Sequence, residues 1–77
     1  MSSRYASRKK IEALFLMQEE AHVRDIYEAI FERPMECSDR EGSQLIGSSL
    51  NRYYRATGND VTPTGHTPYT YRLVYAD

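Results

Sequence analysis

AHVRDIYEAIFERPMECSDREGSQLIGSSLNRYYRA, residues 21–56, is the stretch whose reading decides the fold. Within it Val23, Ile26, Tyr27, Ile30 and Phe31 recur at i, i+3, i+4, i+7 and i+8, while Arg24, Asp25, Glu28 and Glu32 fall opposite. That periodicity predicts an amphipathic helix with one apolar stripe. Pro34 ends it, because the residue before a proline is pushed out of the helical region. Arg33 to Cys37 then reads as a loop. Ser38-Asp39-Arg40-Glu41 has the S-x-x-E form, in which a hydroxyl and a carboxylate satisfy the free amides of a helix start. A second helix is expected from Asp39 to about Ala56, with Leu45, Ile46, Ser49, Leu50 and Tyr53 turned inward and Gly58 placed to stop it.

Upstream, Ile11, Leu14, Phe15 and Gln18 have the spacing of one helix face, which predicts an earlier helix beginning after Ser3 or Ser7 and ending near Glu20. Ala21, His22 and Val23 form a short apolar link to the next element. Downstream, Val61-Thr62 and Tyr69 to Tyr75 flank the turn-rich Pro63-Thr64-Gly65-His66-Thr67-Pro68, the pattern of a terminal β-hairpin. Tyr69, Tyr71, Leu73 and Tyr75 share its inner face, and Thr70, Arg72 and Val74 look outward. Three helices followed by a hairpin make one α+β domain over residues 1–77, with residues 1–7 expected as a flexible basic arm.

Seventy-seven residues hold one modest core and no second domain. The single cysteine, Cys37, cannot form an internal disulfide, and no apolar run approaches the roughly 20 residues needed to span a bilayer. A cytoplasmic location with no membrane partner is therefore expected. The formal net charge is −1, but its distribution is uneven. Residues 1–10 carry Arg4, Arg8, Lys9 and Lys10 with no acid; residues 11–41 carry nine acids against Arg24, Arg33 and Arg40; residues 42–59 carry Arg52 and Arg55 with no acid. The acid-free stretch is where a polyanion can approach without repulsion.

The patterns around His22-Val23-Arg24-Asp25-Ile26-Tyr27-Glu28-Ala29-Ile30, Ser38 to Arg55 and Tyr69-Thr70-Tyr71-Arg72-Leu73 together resemble the winged helix-turn-helix family from about Ser7 to Tyr75. They are similar to its second helix, its recognition helix and its closing wing strand. The small winged domains of phage and plasmid regulators and of phage-type primases share this outline. Two features depart from it: the hairpin tip has no lysine or arginine, and the connection from Arg33 to Cys37 exceeds the tight turn of the simplest members. The resemblance implies double-stranded DNA binding, with the third helix in the major groove, by a transcriptional regulator or a replication-associated module. Opposite the inward arc lie Arg40, Gln44, Gly47, Ser48, Asn51 and Arg55, with Arg52 on the border. Gln44 and Asn51 are amides suited to adenine, Arg40 and Arg55 suit guanine or phosphate, and the small Gly47 and Ser48 permit close approach. His66, Thr64 and Thr67 are the hairpin's candidates for sugar-phosphate contact, and the N-terminal bases can serve as a clamp or a solvated tail.

No catalytic constellation is legible. The only histidines are His22 and His66, Gly47-Ser48-Ser49-Leu50 lacks the second glycine of a nucleophile elbow, and no glycine-rich phosphate loop exists. Neither a cofactor nor a metal is expected, since Cys37 has no cysteine partner and the two histidines are far apart in sequence; Glu19-Glu20 should face solvent, which argues against acid–base work by that pair. His22 reads as a helix-start residue. Of the seven tyrosines, Tyr27, Tyr53 and Tyr71 read as core and Tyr54 as exposed. The competing class is a protein-interaction module built on the same fold, favoured by the near-neutral charge and by Asp25, Glu28 and Glu32. A homodimer or a partner protein is expected beside the duplex.

Overall fold

The computed structural model describes the backbone of residues 4–76 and the side chains of residues 6–76. In chain order the elements are α1 (Arg4–Met17), β1 (Ala21–His22), α2 (Val23–Phe31), α3 (Asp39–Tyr54), β2 (Asp60–Pro63) and β3 (Thr70–Val74). The result is a small α+β fold of three helices and one three-stranded antiparallel sheet, in the order β1-β3-β2. β3 is therefore the central strand, pairing Thr70 with His22 and Tyr71 with Ala21 on one side, and Val61 with Leu73 on the other.

One fully buried residue or pair from each helix builds the core: Ile11 from α1, Val23 and Ile26 from α2, and Ile46 from α3. α2 follows its sequence pattern closely, burying Val23, Ile26, Tyr27 and Ile30. α3 buries Gly42, Ile46, Ser49, Leu50 and Tyr54, an arc turned slightly from the expected one. Leu45 is 47% exposed and Tyr53 only half-buried, whereas Tyr54, expected at the surface, is 3% exposed. The rotated arc brings Gly42 against Met35, where a Cβ built on the glycine would lie 2.4 Å from Met35 Sδ. Met35, read as a loop residue, is buried and seats itself against the glycine.

The N-terminal expectations change most. Ser7 does not cap α1; it lies inside the helix and is 3% exposed, while Ser3 and the side chain of Arg4 fall outside the described residues. Arg4 to Ser7, expected in a flexible arm, are helical. α1 stops at Met17 instead of Glu20. Glu19 and Glu20 would set negative charge against the negative end of the helix dipole, and Ala21 is needed for pairing with Tyr71. The apolar link at Ala21–His22 is thus a strand, too short for an alternation to be visible in sequence.

The hairpin departs from expectation at its ends. Along β3 the pattern is as read, with Tyr71 buried, Leu73 half-buried and Arg72 and Val74 exposed. Tyr69 and Tyr75, expected on the inner face, are 37% and 62% exposed because both lie beyond the strand's ends, where the alternation no longer constrains them. Pro63, read as a turn residue, closes β2, an edge position where a missing amide hydrogen removes no ladder bond. Gly58 ends the helical region as expected. Its φ of 81° suits glycine, and a Cβ there would lie 2.9 Å from Ala76 Cβ, where the tail returns to donate Ala76 N–H to Asn59 Oδ1.

Ile46→Val should lower stability by about 1 kcal/mol, the usual cost of one buried methylene, without altering the fold; thermal and denaturant melting check this. The Tyr54 hydroxyl is buried with no hydrogen-bond partner among the described residues. Burial pushes its pKa from the ordinary 10.0 up to about 12, with Glu12 and Tyr75 adding to the rise and Arg8 opposing it. A phenol whose folded pKa is raised contributes stability that is complete below the unfolded value and lost as pH climbs toward the folded one. Stability should therefore fall between pH 10 and about 12, and Tyr54→Phe should flatten that fall when melting is followed across this range.

Candidate nucleic-acid interface

α3 begins at Ser38, whose Oγ accepts the Glu41 N–H at 3.2 Å while lying 3.4 Å from Glu41 Oε1. Its start is also held from a second side. His22 caps α2 by accepting the Arg24 N–H at Nδ1, 3.1 Å, and its Nε2 lies 3.5 Å from Asp39 Oδ2. The Nδ1 acceptor role leaves the neutral ring's proton on Nε2, facing the carboxylate. Farther along, Ser43 and the Tyr71 hydroxyl share a hydrogen bond that joins α3 to the central strand. Helix and sheet are thus fixed relative to each other near the first two turns of α3.

With the inward arc buried, the opposite face is open. Arg40, Gln44, Gly47, Ser48, Asn51, Arg52 and Arg55 are all exposed. A Cβ at Gly47 would meet nothing within 4 Å, so the helix backbone is accessible at the middle of the stripe. The side chains of Arg40, Gln44, Ser48, Asn51, Arg52 and Arg55 make no hydrogen bond or ion pair among the described residues. The stripe is flanked by two grooves. On the α2 side, Phe31, Leu45 and Ser49 floor a groove of about 430 Å³ rimmed by Glu41, Gln44, Ser48 and Arg52. At the C-terminal end, Asn51 and Arg55 border one of about 270 Å³ with Asn59 and Asp60.

Two acids flank the face, Glu41 and Asp60, one on each groove. Counting charges from residue 42 onward misses Glu41, although it stands three residues from Gln44 and shares its side of a helix. Both carboxylates have local duties: Glu41 approaches the Ser38 hydroxyl, and Asp60 Oδ1 accepts the Val61 N–H at 2.9 Å. The second contact also closes a sheet edge. Val61 N–H is covered and Pro63 has no amide hydrogen, so β2 offers no donor at either position to an incoming strand.

The other candidates sit apart from the stripe. His66 is at the hairpin tip, where its Nε2 lies 3.0 Å from Glu20 Oε1, which ties the tip to the bend after α1. Lys10 forms an ion pair with Glu32, and Arg8 and Lys9 are also engaged. The N-terminal bases with described side chains therefore serve contacts within the fold. A depression of about 770 Å³ lies along the α2–α3 connection and is lined by Tyr27, Arg33 and Cys37 among others. Arg33 donates to the Tyr27 hydroxyl at 3.2 Å and stacks over Phe31, so this guanidinium is already used. No group of three His, Cys, Asp or Glu side chains among the described residues is placed to hold a metal ion, and no described helix is long and apolar enough to cross a membrane.

Comparison of the chain with protein-family models, curated proteins and solved structures finds no match.

Because the face is positioned by the start of α3, Ser38→Ala should cost about 1 kcal/mol, the usual value of an N-cap. In a domain of this size that corresponds to a melting temperature lower by roughly 4–8 °C, readable by thermal circular dichroism.

Proposed function

We propose that the chain is a winged helix domain that binds double-stranded DNA in a sequence-dependent way, with α3 in the major groove. The observation that carries this reading is the α3 stripe: seven exposed residues, three of them arginines, whose polar side chains have no partner among the described residues. The order of elements, with three helices, a two-residue strand between the first two and a closing hairpin, supports it as well.

Dimensions sort the residues into roles. At about 1.5 Å per residue, Gln44 and Asn51 stand about 11 Å apart along the helix, within the roughly 12 Å width of a major groove. Arg40 and Arg55 stand about 22 Å apart, too far for both to sit over the same bases. Gln44, Gly47, Ser48 and Asn51 then form the base-reading centre, and Arg40, Arg52 and Arg55 contact phosphates or the outermost guanines. One helix covers one half-site, so useful affinity calls for a second copy or a partner protein beside it. A transcriptional regulator and a replication-associated module both fit.

A protein partner is the second reading. It is favoured by Leu16 and Met17, 84% and 88% exposed at the end of α1, and by the carboxylates Asp25 and Glu28 on the surface of α2. On this reading Glu28→Lys breaks the complex, and the protein shows no salt-sensitive retention on a DNA column.

Selection from random duplexes at near-physiological salt should enrich a defined site. On that site Asn51→Ala and Arg55→Ala should each weaken binding about tenfold or more, with stability within about 0.5 kcal/mol of the parent as for other surface changes. Affinity should also fall steeply with salt. Unchanged affinity in both variants, or no enrichment at all, contradicts the duplex reading.

A further inference from the structure

A helix is stabilised by acids near its first turn and bases near its last, each facing the opposite partial charge of its own end. α1 is built the other way. Its first turn has no acid and its last turn no base. Arg8, Lys9 and Lys10 lie in its first half, Glu19 and Glu20 follow its end, and no lysine or arginine occurs between Lys10 and Arg24.

Between those charged ends the helix presents an apolar face to the outside. Lys9, Ala13, Leu16 and Met17 stand at i, i+4, i+7 and i+8 and are all exposed. Leu16 and Met17 are the two most exposed large apolar side chains among the described residues. The core draws on Ile11, Leu14 and Phe15 from the other side of α1 and asks nothing of this face. Glu19 likewise makes no hydrogen bond or ion pair among the described residues. Lys9 has a contact within the fold and Glu20 meets His66, but Lys9 is exposed and Glu20 only half-buried, so both still present charge at the surface.

The order of charge along this face indicates what covers it. From its N-terminal end the face runs base, apolar, acid, and so it complements its own reverse. In an antiparallel pair of α1 helices, Ala13 of each copy meets Leu16 of the other, and in the same register Lys9 of each meets the Glu19–Glu20 bend of the other. The two helix dipoles then run head to tail, and each wrongly charged end gains the opposite charge it lacks. A parallel pair would set like charges together. A net charge of −1 leaves little general repulsion between copies. We infer that α1 is a self-association surface: the free protein forms a two-fold dimer through antiparallel α1 helices, with Leu16 and Met17 at its centre. No residue of the α3 stripe takes part, so the dimer does not depend on the duplex reading. One helix pair is a small interface, which places the Kd on the order of 10 μM.

Sedimentation equilibrium from about 1 μM to about 1 mM brackets that constant and should show monomer passing to dimer and no further. Leu16→Lys should stay monomeric over the whole range and melt like the diluted parent, because the position is exposed. Lys9→Glu and Glu19→Lys should each weaken the dimer about tenfold, since the symmetry turns two attractions into two repulsions. The double variant Lys9→Glu/Glu19→Lys restores opposite charges in exchanged positions and should return to within about twofold of the parent. A parent that is monomeric up to about 1 mM overturns the inference. So does a dimer that survives Leu16→Lys, which would place the contact on another face. Failure of the double variant to recover what the single ones lost overturns it as well, because the helices would then not pair antiparallel.

Discussion

Complete burial of Ile46 fixes the rest of this molecule. Ile46 lies in the middle of α3, and with Gly42, Ser49, Leu50 and Tyr54 it commits one side of that helix to the core shared with Ile11, Val23 and Ile26. A helix that buries one stripe has no freedom left to hide the opposite one. Arg40, Gln44, Ser48, Asn51 and Arg55 are therefore exposed for a reason that owes nothing to function, and what is informative is their chemistry. A solvated helix face ordinarily carries acids and bases interspersed. Here the centre of the face has amides, a hydroxyl and bare backbone, with arginines at its ends.

Charge is divided in the same way. A net charge of −1 hides a separation between groups used inside the fold and groups left outside it. Lys10 serves Glu32, Arg33 serves Tyr27 and Phe31, His66 serves Glu20, and His22 serves both the start of α2 and Asp39. The arginines of α3, like Arg24 and Arg72, have no such duty among the described residues. Exposed pairs of this kind contribute little to stability individually, but each removes a charge from the field that a polyanion would meet.

Long periodic segments were legible from sequence, and short or strained ones were not. α2 is seen in its apolar spacing, and α3 in its Ser38 cap and Gly58 stop. The seven residues expected on the open face of α3 are all exposed, because an error of one residue in the inward arc leaves the far side outward. The arc itself was misjudged at Leu45, Tyr53 and Tyr54, since nothing in the spacing reveals that Gly42 faces Met35. β1 was missed because two residues carry no period, and its identity depends on Tyr71, fifty residues away from Ala21 in sequence. The hairpin was recognised from its β-branched and aromatic residues, while the left-handed backbone at Tyr69 has no signal in residue type at all. The engagement of His66 with Glu20 and of Lys10 with Glu32 is likewise tertiary, which is why the tip and the N-terminal bases looked more available than they are.

The central claim is that the exposed face of α3 is the surface that meets nucleic acid. Amide chemical-shift changes on titrating the isotope-labelled protein with a duplex carrying its selected site test it directly. The account predicts that the largest changes map to residues 40–55 and to the neighbouring hairpin root, with α1 and the outer side of α2 nearly silent. Changes centred instead on Leu16 and Met17 or on Asp25 and Glu28, with α3 unmoved, would contradict it.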